Sequence, residues 1–335
     1  MEINISSSSK CAVIGYGSWA TAVIKILCEK EKKVGWHIRN EEVLECVTQE
    51  GYNPKYLRDT ELEISKLDIS NDVNYIVDNY DIIIMAMPSA YIKTFLEPLS
   101  ISLNDKFIVS AIKGIVPDNY VTVVEYLKVQ YELSYKQLGV ITGPSHAEEV
   151  ALERLSYITV VSPDLELAHL LGDKISCKYI NVSYSADLYG IEYATILKNI
   201  YSIAVGIAIG LGYGDNFVAV LISNCAREMN NYLMESFPDD RETRESAYLG
   251  DLLVTCYSLY SRNRRFGLLL GRGFNVKSAL NEMTMVAEGY FAAHCIKHLN
   301  EIHKVDLPIV DMVYNILYRK LSARKAMRNL TKELK

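Results

Sequence analysis

Cysteine is scarce and scattered. The seven residues, at 11, 28, 46, 177, 225, 256 and 295, are odd in number, include no C-x-x-C pair and accompany no histidine cluster at metal-ligand spacing. A disulfide framework is not needed at this length, and the thiols read as reduced in a cytoplasmic protein. Long apolar runs are missing too. The longest uncharged segment, residues 199–214, falls short of the ~20 residues of a membrane helix and is interrupted by Gly206, Gly210, Gly212 and Gly214. Membrane insertion is therefore not expected. The opening MEINISSSSK puts a serine run where a secretory leader carries an apolar stretch, so export is not expected either. Positive charge is not in excess: 35 Lys and Arg against 41 Asp and Glu leave a net charge of −6, which gives no general electrostatic reason to bind nucleic acid.

What is present is ordinary core-forming composition, 50% hydrophobic and 23% charged over 335 residues, a length that suggests two domains. The β-branched run at 11–15, the glycine turn after it, a helical stretch from Ser18 to Glu31 and a second strand at 33–38 form a βαβ unit. Apolar runs at 81–87, 106–112 and 138–142 have the continuity of strands buried on both faces of a parallel sheet. Alternating runs at 157–161 and 179–184 read as late strands, and beyond Asp187 the periodicity is helical. The expected fold is α/β: an N-terminal Rossmann-like, doubly wound, mostly parallel sheet over residues 1–187, and an all-α C-terminal domain over 188–335. The first would bind a dinucleotide and the second the substrate.

Gly15-Tyr16-Gly17-Ser18-Trp19-Ala20 follows the first strand and opens the first helix. There a glycine turn lets a pyrophosphate approach backbone N–H groups at the positive helix end; a plain tight turn is the rival reading. The second strand ends in Trp36, His37, Ile38, Arg39 and Asn40, without the acidic residue that bonds an NAD ribose. Arg39 suits a 2′-phosphate, so NADP(H) is the preferred cofactor and NAD(H) the alternative. Three further strand ends, Met87-Pro88-Ser89, Lys113-Gly114 and Gly143-Pro144-Ser145-His146-Ala147, would converge on the same carboxyl edge. Ser145 with Glu148 has the spacing of a capping box.

Ile191, Ala194, Thr195 and Lys198 share one helical stripe. A lysine facing a core or cleft loses charge by desolvation, which makes Lys198 a candidate proton donor to a ketone; a lysine snorkelling from the stripe's edge is the alternative. Gly206 and Gly210 suggest close helix packing. Downstream, Gly250-Asp251, Thr255 and Ser261-Arg262-Asn263-Arg264-Arg265 gather cations and neutral donors suited to a phosphate. Asp251 either orients Lys198 or a substrate hydroxyl, or caps a helix.

Taken together these segments resemble the bacterial NAD(P)-dependent glycerol-3-phosphate dehydrogenase family from the first strand to about residue 290. The most telling is GDLLVTCYSLYSRNRRFGLLLGRG at 250–273, supported by GYGSWATA at 15, NPKYL at 53, MPS at 87, KG at 113, GPSHAEEVA at 143, LKN at 197, GLGYGDN at 210 and VAEG at 286. Only the glycine motif is widely shared among other dehydrogenases. The resemblance implies that Gly15, Gly17, Ser18, Trp19, Arg39, Lys113, Ala147, Arg262, Glu288 and, through its backbone, Val286 contact the cofactor. It implies that Lys113, Gly143, Ser145, Lys198, Asp251, Ser261, Arg262 and Asn263 hold the substrate, with Lys198 catalytic. Ala20 replaces a family glycine, Ile38 a family arginine, and LISNCAREM at 221 lacks the arginine expected near Asn224.

The activity so implied is reversible reduction of dihydroxyacetone phosphate to sn-glycerol 3-phosphate, which supplies phospholipid synthesis. The partner is this small-molecule substrate, and a homodimer is allowed. The rival readings are a two-domain hydroxy-acid dehydrogenase, which would not need the 261–265 segment, and a non-catalytic NAD(P)-binding regulator, which would not need Lys198 and Asp251 together.

Overall fold

The computed structural model describes residues 3–283 and 287–335, so the contact expected of Val286 lies outside the described residues. The chain forms two compact units, one of Met1–Ile112 and Val123–Leu188, the other of Lys113–Thr122 and Tyr189–Lys335. A single cut at 187 misses the excursion Lys113–Thr122, whose contacts are with the helices of the second unit.

The first unit is built on an eight-stranded sheet. Its strands are β1 (Cys11–Ile14), β2 (Val34–His37), β3 (Leu67–Ser70), β4 (Ile82–Met85), β5 (Phe107–Ser110), β8 (Leu138–Thr142), β9 (Ser156–Val161) and β10 (Ile180–Ser185). β6 (Ile115–Val116) and β7 (Val121–Thr122) form a separate antiparallel hairpin within the excursion. The sheet order is β10-β9-β8-β5-β4-β1-β2-β3, parallel throughout except between β8 and β9. The central strands CAVI, IIIM and FIVS are buried at every position, which is why they carry no alternation in the sequence.

Strand order reverses between β1 and β4, the place where a doubly wound sheet opens a crevice at its carboxyl edge. The connecting helices of this unit are α1 (Ser18–Cys28), α2 (Glu41–Glu50), α3 (Val73–Asn79), α4 (Ile92–Leu96), α5 (Val123–Gln130), α6 (Ala147–Ala151) and α7 (Leu165–Ile175).

The second unit comprises α8 (Leu188–Gly210), α9 (Asp215–Ser236), α10 (Asp251–Tyr257), α11 (Arg262–Gly271), α12 (Val276–Asn281), α13 (Glu288–His303), α14 (Pro308–Tyr318) and α15 (Ala323–Leu330). α8 is long and apolar enough to cross a membrane, yet 89% of its most apolar window is buried inside the protein, so it is a core helix. It packs on α11 with the two backbones in close contact. A Cβ at Gly206 would lie 2.1 Å from the Arg264 carbonyl oxygen, and one at Gly267 would lie 2.1 Å from that of Ile203. Gly210 and Gly271 repeat the relation one turn later. The β6–β7 hairpin is held on α13, where the Tyr120 ring lies 4.2 Å from that of His298 and 5.8 Å from that of His294.

Candidate functional site

In the first unit, the turn after β1 is shaped by what it must approach. Gly15 has φ +121°, and a Cβ there would stand 2.2 Å from the Ala86 carbonyl oxygen at the end of β4. Trp36, wholly buried, donates its indole N–H to the Gly15 carbonyl at 2.7 Å and pins the turn from the neighbouring strand. Asn53 holds it from another side. Its buried amide donates to the Tyr16 carbonyl and to Thr21 Oγ1, both at 2.9 Å, and its Oδ1 accepts from the backbone N–H groups of Lys55 and Tyr56.

Gly17 caps α1 without a side-chain acceptor, and a Cβ there would meet nothing within 4 Å. A turn fixed on three sides, ending at an open helix N-terminus, fits a dinucleotide pyrophosphate. Ser18 and Trp19 are the first residues of α1. Arg39, exposed beyond the end of β2, lies with its guanidinium 4.6 Å over the Phe95 ring and its Nη1 3.4 Å from the Thr94 carbonyl. Burial holds the nearby His37 imidazole below its ordinary pKa, so it adds no charge there.

The 143–148 segment differs from the expected capping box. α6 begins at Ala147 with His146 at its cap position, so Ser145 stands one residue outside, and its hydroxyl donates to the Gly143 carbonyl at 3.1 Å. The chain turns there at Gly143 with φ +111°, where a Cβ would lie 2.8 Å from the Tyr157 carbonyl oxygen. That positive φ takes the chain out of extended geometry four residues before α6 begins.

In the second unit, Lys113, Lys198 and Asp251 meet. Lys198 Nζ lies 2.5 Å from Asp251 Oδ2, both side chains being almost wholly buried, and Lys113 Nζ approaches the same oxygen at 3.7 Å. Asp251 is the first residue of α10 and follows a π-helical turn at residues Ser246–Gly250. Its carboxylate serves the lysine pair rather than a helix cap. Desolvation lowers the Lys198 pKa from 10.5 to about 7; Asp251 opposes the shift and Lys113 adds to it. The stripe reading of the sequence thus places Lys198 inside, not snorkelling.

Around this pair runs a chain of amides. The Gly289 N–H donates to Asn263 Oδ1 at 2.9 Å, Asn263 Nδ2 donates to Asn199 Oδ1 at 2.9 Å, and Asn199 Nδ2 donates to the Lys113 carbonyl at 2.7 Å. It links the first turns of α13 and α11 to α8 and to the base of the hairpin. Glu288 and Arg262 are the first residues of α13 and α11.

The Ser261 hydroxyl caps α11, accepting from the Arg264 N–H at 3.3 Å, and exchanges a 2.9 Å hydrogen bond with Ser202, which donates to the Thr255 carbonyl at 2.8 Å. Residues 262–271 are therefore a capped helix, on which Arg265 is exposed. Asn199, Ser202, Trp36 and Asn53 were not singled out from the sequence. Asn199 and Asn53 lie in the LKN and NPKYL segments, the signal by which the sequence could have found them.

Models of the NAD-dependent glycerol-3-phosphate dehydrogenase N-terminus and C-terminus match residues 10–168 and 187–328. The glycerol-3-phosphate dehydrogenase [NAD(P)+] of Macrococcus caseolyticus is 32% identical over 321 residues, covering 95% of this chain and 96% of its own. That of Staphylococcus carnosus is 32% identical over 324 residues, covering 96% and 97%. Among solved structures, the glycerol-3-phosphate dehydrogenase of Coxiella burnetii superposes with a TM-score of 0.89 at 28% identity, covering 97% of this chain and 99% of that one.

Proposed function

The chain belongs to the NAD-dependent glycerol-3-phosphate dehydrogenase family and is an NAD(P)-dependent oxidoreductase of that activity; on that premise we propose that Lys198 is its proton donor and that it works with NADPH in preference to NADH. The observation that carries the proton-donor reading is the buried Lys198–Asp251 pair with Lys113 on the same carboxylate oxygen.

A reduced nicotinamide, when bound, supplies the hydride for the ketone carbon of dihydroxyacetone phosphate. The protein's part is to hold the substrate and to handle the proton. Lys198, with a pKa lowered to about 7, carries its proton through half of the population near neutrality and gives it to the oxygen that gains charge. Asp251 keeps the ammonium oriented and retains it in a buried place that otherwise favours the neutral amine. Lys113 adds positive charge beside the developing alkoxide. Arg262 and Asn263 take the phosphate, and the amides of Asn199 and Asn263 set where Lys113 stands.

Ser261 acts through its cap, by fixing the first turn of α11, while Gly143, Ser145 and Glu288 complete the substrate and cofactor contacts. Gly15, Gly17, Ser18, Trp19 and Ala147 would carry the dinucleotide backbone and Arg39 its 2′-phosphate. A role in supplying glycerol phosphate for phospholipid synthesis, a cytoplasmic setting and a homodimer complete the proposal.

Separate assays of NADPH and NADH oxidation on adding dihydroxyacetone phosphate test the cofactor ranking. A higher kcat/KM with NADPH is expected, and a higher one with NADH would overturn it.

A further inference from the structure

A cavity of about 990 Å³ lies in the second unit, among the end of α11, the 272–276 turn, α12, the end of α14 and the start of α15. That is the upper end of the ~300–1,000 Å³ range of small-molecule pockets. Its wall includes the aliphatic side chains of Leu270, Val276, Leu280, Ile316, Leu317 and Leu321 and the rings of Tyr290 and the half-exposed Phe274.

Arg272, Lys277, Lys320 and Arg324 also line the cavity, and no acidic side chain does so among the described residues. All four are exposed, and none makes an ion pair among the described residues. In a chain of net charge −6, four unneutralised cations round one apolar hollow depart from the average surface. The start of α15 adds to the same field: Ser322 caps it without a side-chain hydrogen bond, and Ser322, Ala323 and Arg324 line the cavity.

From this charge and shape we infer that the cavity is a binding site for a single-chain anionic amphiphile, its aliphatic tail on the leucine wall and its phosphate or carboxylate head among the four cations. A nucleotide fits less well. The polar side chains of the lining besides the cations are Asn275, Asn281, Tyr290 and Ser322, while a sugar and base need more hydrogen-bonding groups than that. The site lies outside the Lys113–Lys198–Asp251 cluster, and the inference goes beyond the proposed catalytic roles.

The test is calorimetric titration of the full-length protein with dodecyl phosphate, below its micelle concentration, and needs no turnover. One saturable site is expected. Lys320→Glu with Arg324→Glu, both on exposed positions, should weaken it at least about tenfold. Lys325→Glu with Arg328→Glu, on the same helix but away from the lining, should leave it within about twofold.

Dodecyl maltoside, with the same tail and a neutral head, should bind at least about tenfold more weakly. Laurate distinguishes the head groups: whichever of laurate and dodecyl phosphate binds tighter names the natural head. Absence of a saturable site, equal loss in both charge-reversed variants, or displacement by inorganic phosphate alone at similar concentration would overturn the inference. So would sedimentation showing that Lys320→Glu with Arg324→Glu splits a wild-type dimer, since the face would then belong to a second copy of the chain.

Discussion

Asp251 Oδ2 receives two ammonium groups, Lys198 at 2.5 Å and Lys113 at 3.7 Å, on a carboxylate that is almost completely withdrawn from water. Of the two charges on Lys198, only that of Asp251 favours its protonated form. Asp251→Asn should therefore push the Lys198 pKa below about 7 and lower kcat for ketone reduction at pH 7.5 by about 10²-fold. The falling limb of the pH–rate profile should move toward lower pH. A profile with an unmoved limb would show that Asp251 does not control this proton.

Asn199 is the middle member of the amide chain, so its removal strands partners on both sides. Asn199→Ala should destabilise the protein by about 1–3 kcal/mol, the cost of leaving buried polar groups unmet. It should also lower kcat, since the base of Lys113 loses its anchor. Asn199→Asp keeps an acceptor for Asn263 but loses the donor to the Lys113 carbonyl. It should recover stability better than kcat, a split that a purely structural role would not give. Denaturant midpoints and steady-state kinetics measure the two.

Gly267 lets α11 touch α8, with the position of a Cβ only 2.1 Å from the Ile203 carbonyl oxygen. Gly267→Ala must push the helices apart, at about 1–3 kcal/mol for overpacking. Because Asn263 and Asn199 sit at the same helix pair, KM for dihydroxyacetone phosphate should rise as the melting temperature falls. An unchanged KM in a destabilised variant would show that the pairing tolerates the shift.

Glu228, buried in α9, accepts from the backbone N–H groups of Ile309 and Val310 at 2.8 and 3.1 Å. Desolvation nonetheless raises its pKa from 4.5 to about 8, the two N–H groups opposing it. A carboxyl whose folded pKa is raised contributes most when protonated. Its contribution is complete below about pH 4.5 and is lost as pH rises to about 8, by at most about 1.4 kcal/mol per pH unit. Glu228→Gln should flatten that part of the stability profile between pH 5 and 8, as followed by urea midpoints. Parallel profiles for the two proteins would contradict the assignment.

Much of this architecture is legible in the sequence, for reasons that differ by element. β1, β4 and β5 are continuous apolar runs because both faces are covered, and α8 shows its stripe through Lys198. β3 was not legible: it is four residues long, lies at the sheet edge and is buried only at Leu67, and its Asp68 is kept there by the Tyr75 and Tyr80 hydroxyls. The excursion Lys113–Thr122 was hidden for another reason. Its attachment rests on Tyr120 against His294 and His298 and on Asn199, pairings distant in sequence that no local pattern reports. Ser145 differs from its sequence reading because a capping box is only a spacing, and the helix starts one residue later, with His146 at its cap position.

On the proposed reading the cofactor preference would rest on Arg39 alone, since Ile38 beside it is wholly buried. Arg39→Ala should raise KM for NADPH at least about tenfold and change that for NADH by less than about twofold, the loss being that of one charge-assisted phosphate contact. Equal effects on the two coenzymes would mean that Arg39 only braces Phe95.

The most direct measurement is the pH dependence of dihydroxyacetone phosphate reduction from pH 6 to 9 for the wild type and for Lys198→Ala. The wild-type rate should fall as pH rises through about 7, where Lys198 loses its proton. The variant should be slower by about 10²–10⁴-fold and should lack that limb. A Lys198→Ala enzyme that retains most of its turnover, or keeps the same falling limb, would contradict the assignment of Lys198 as the proton donor.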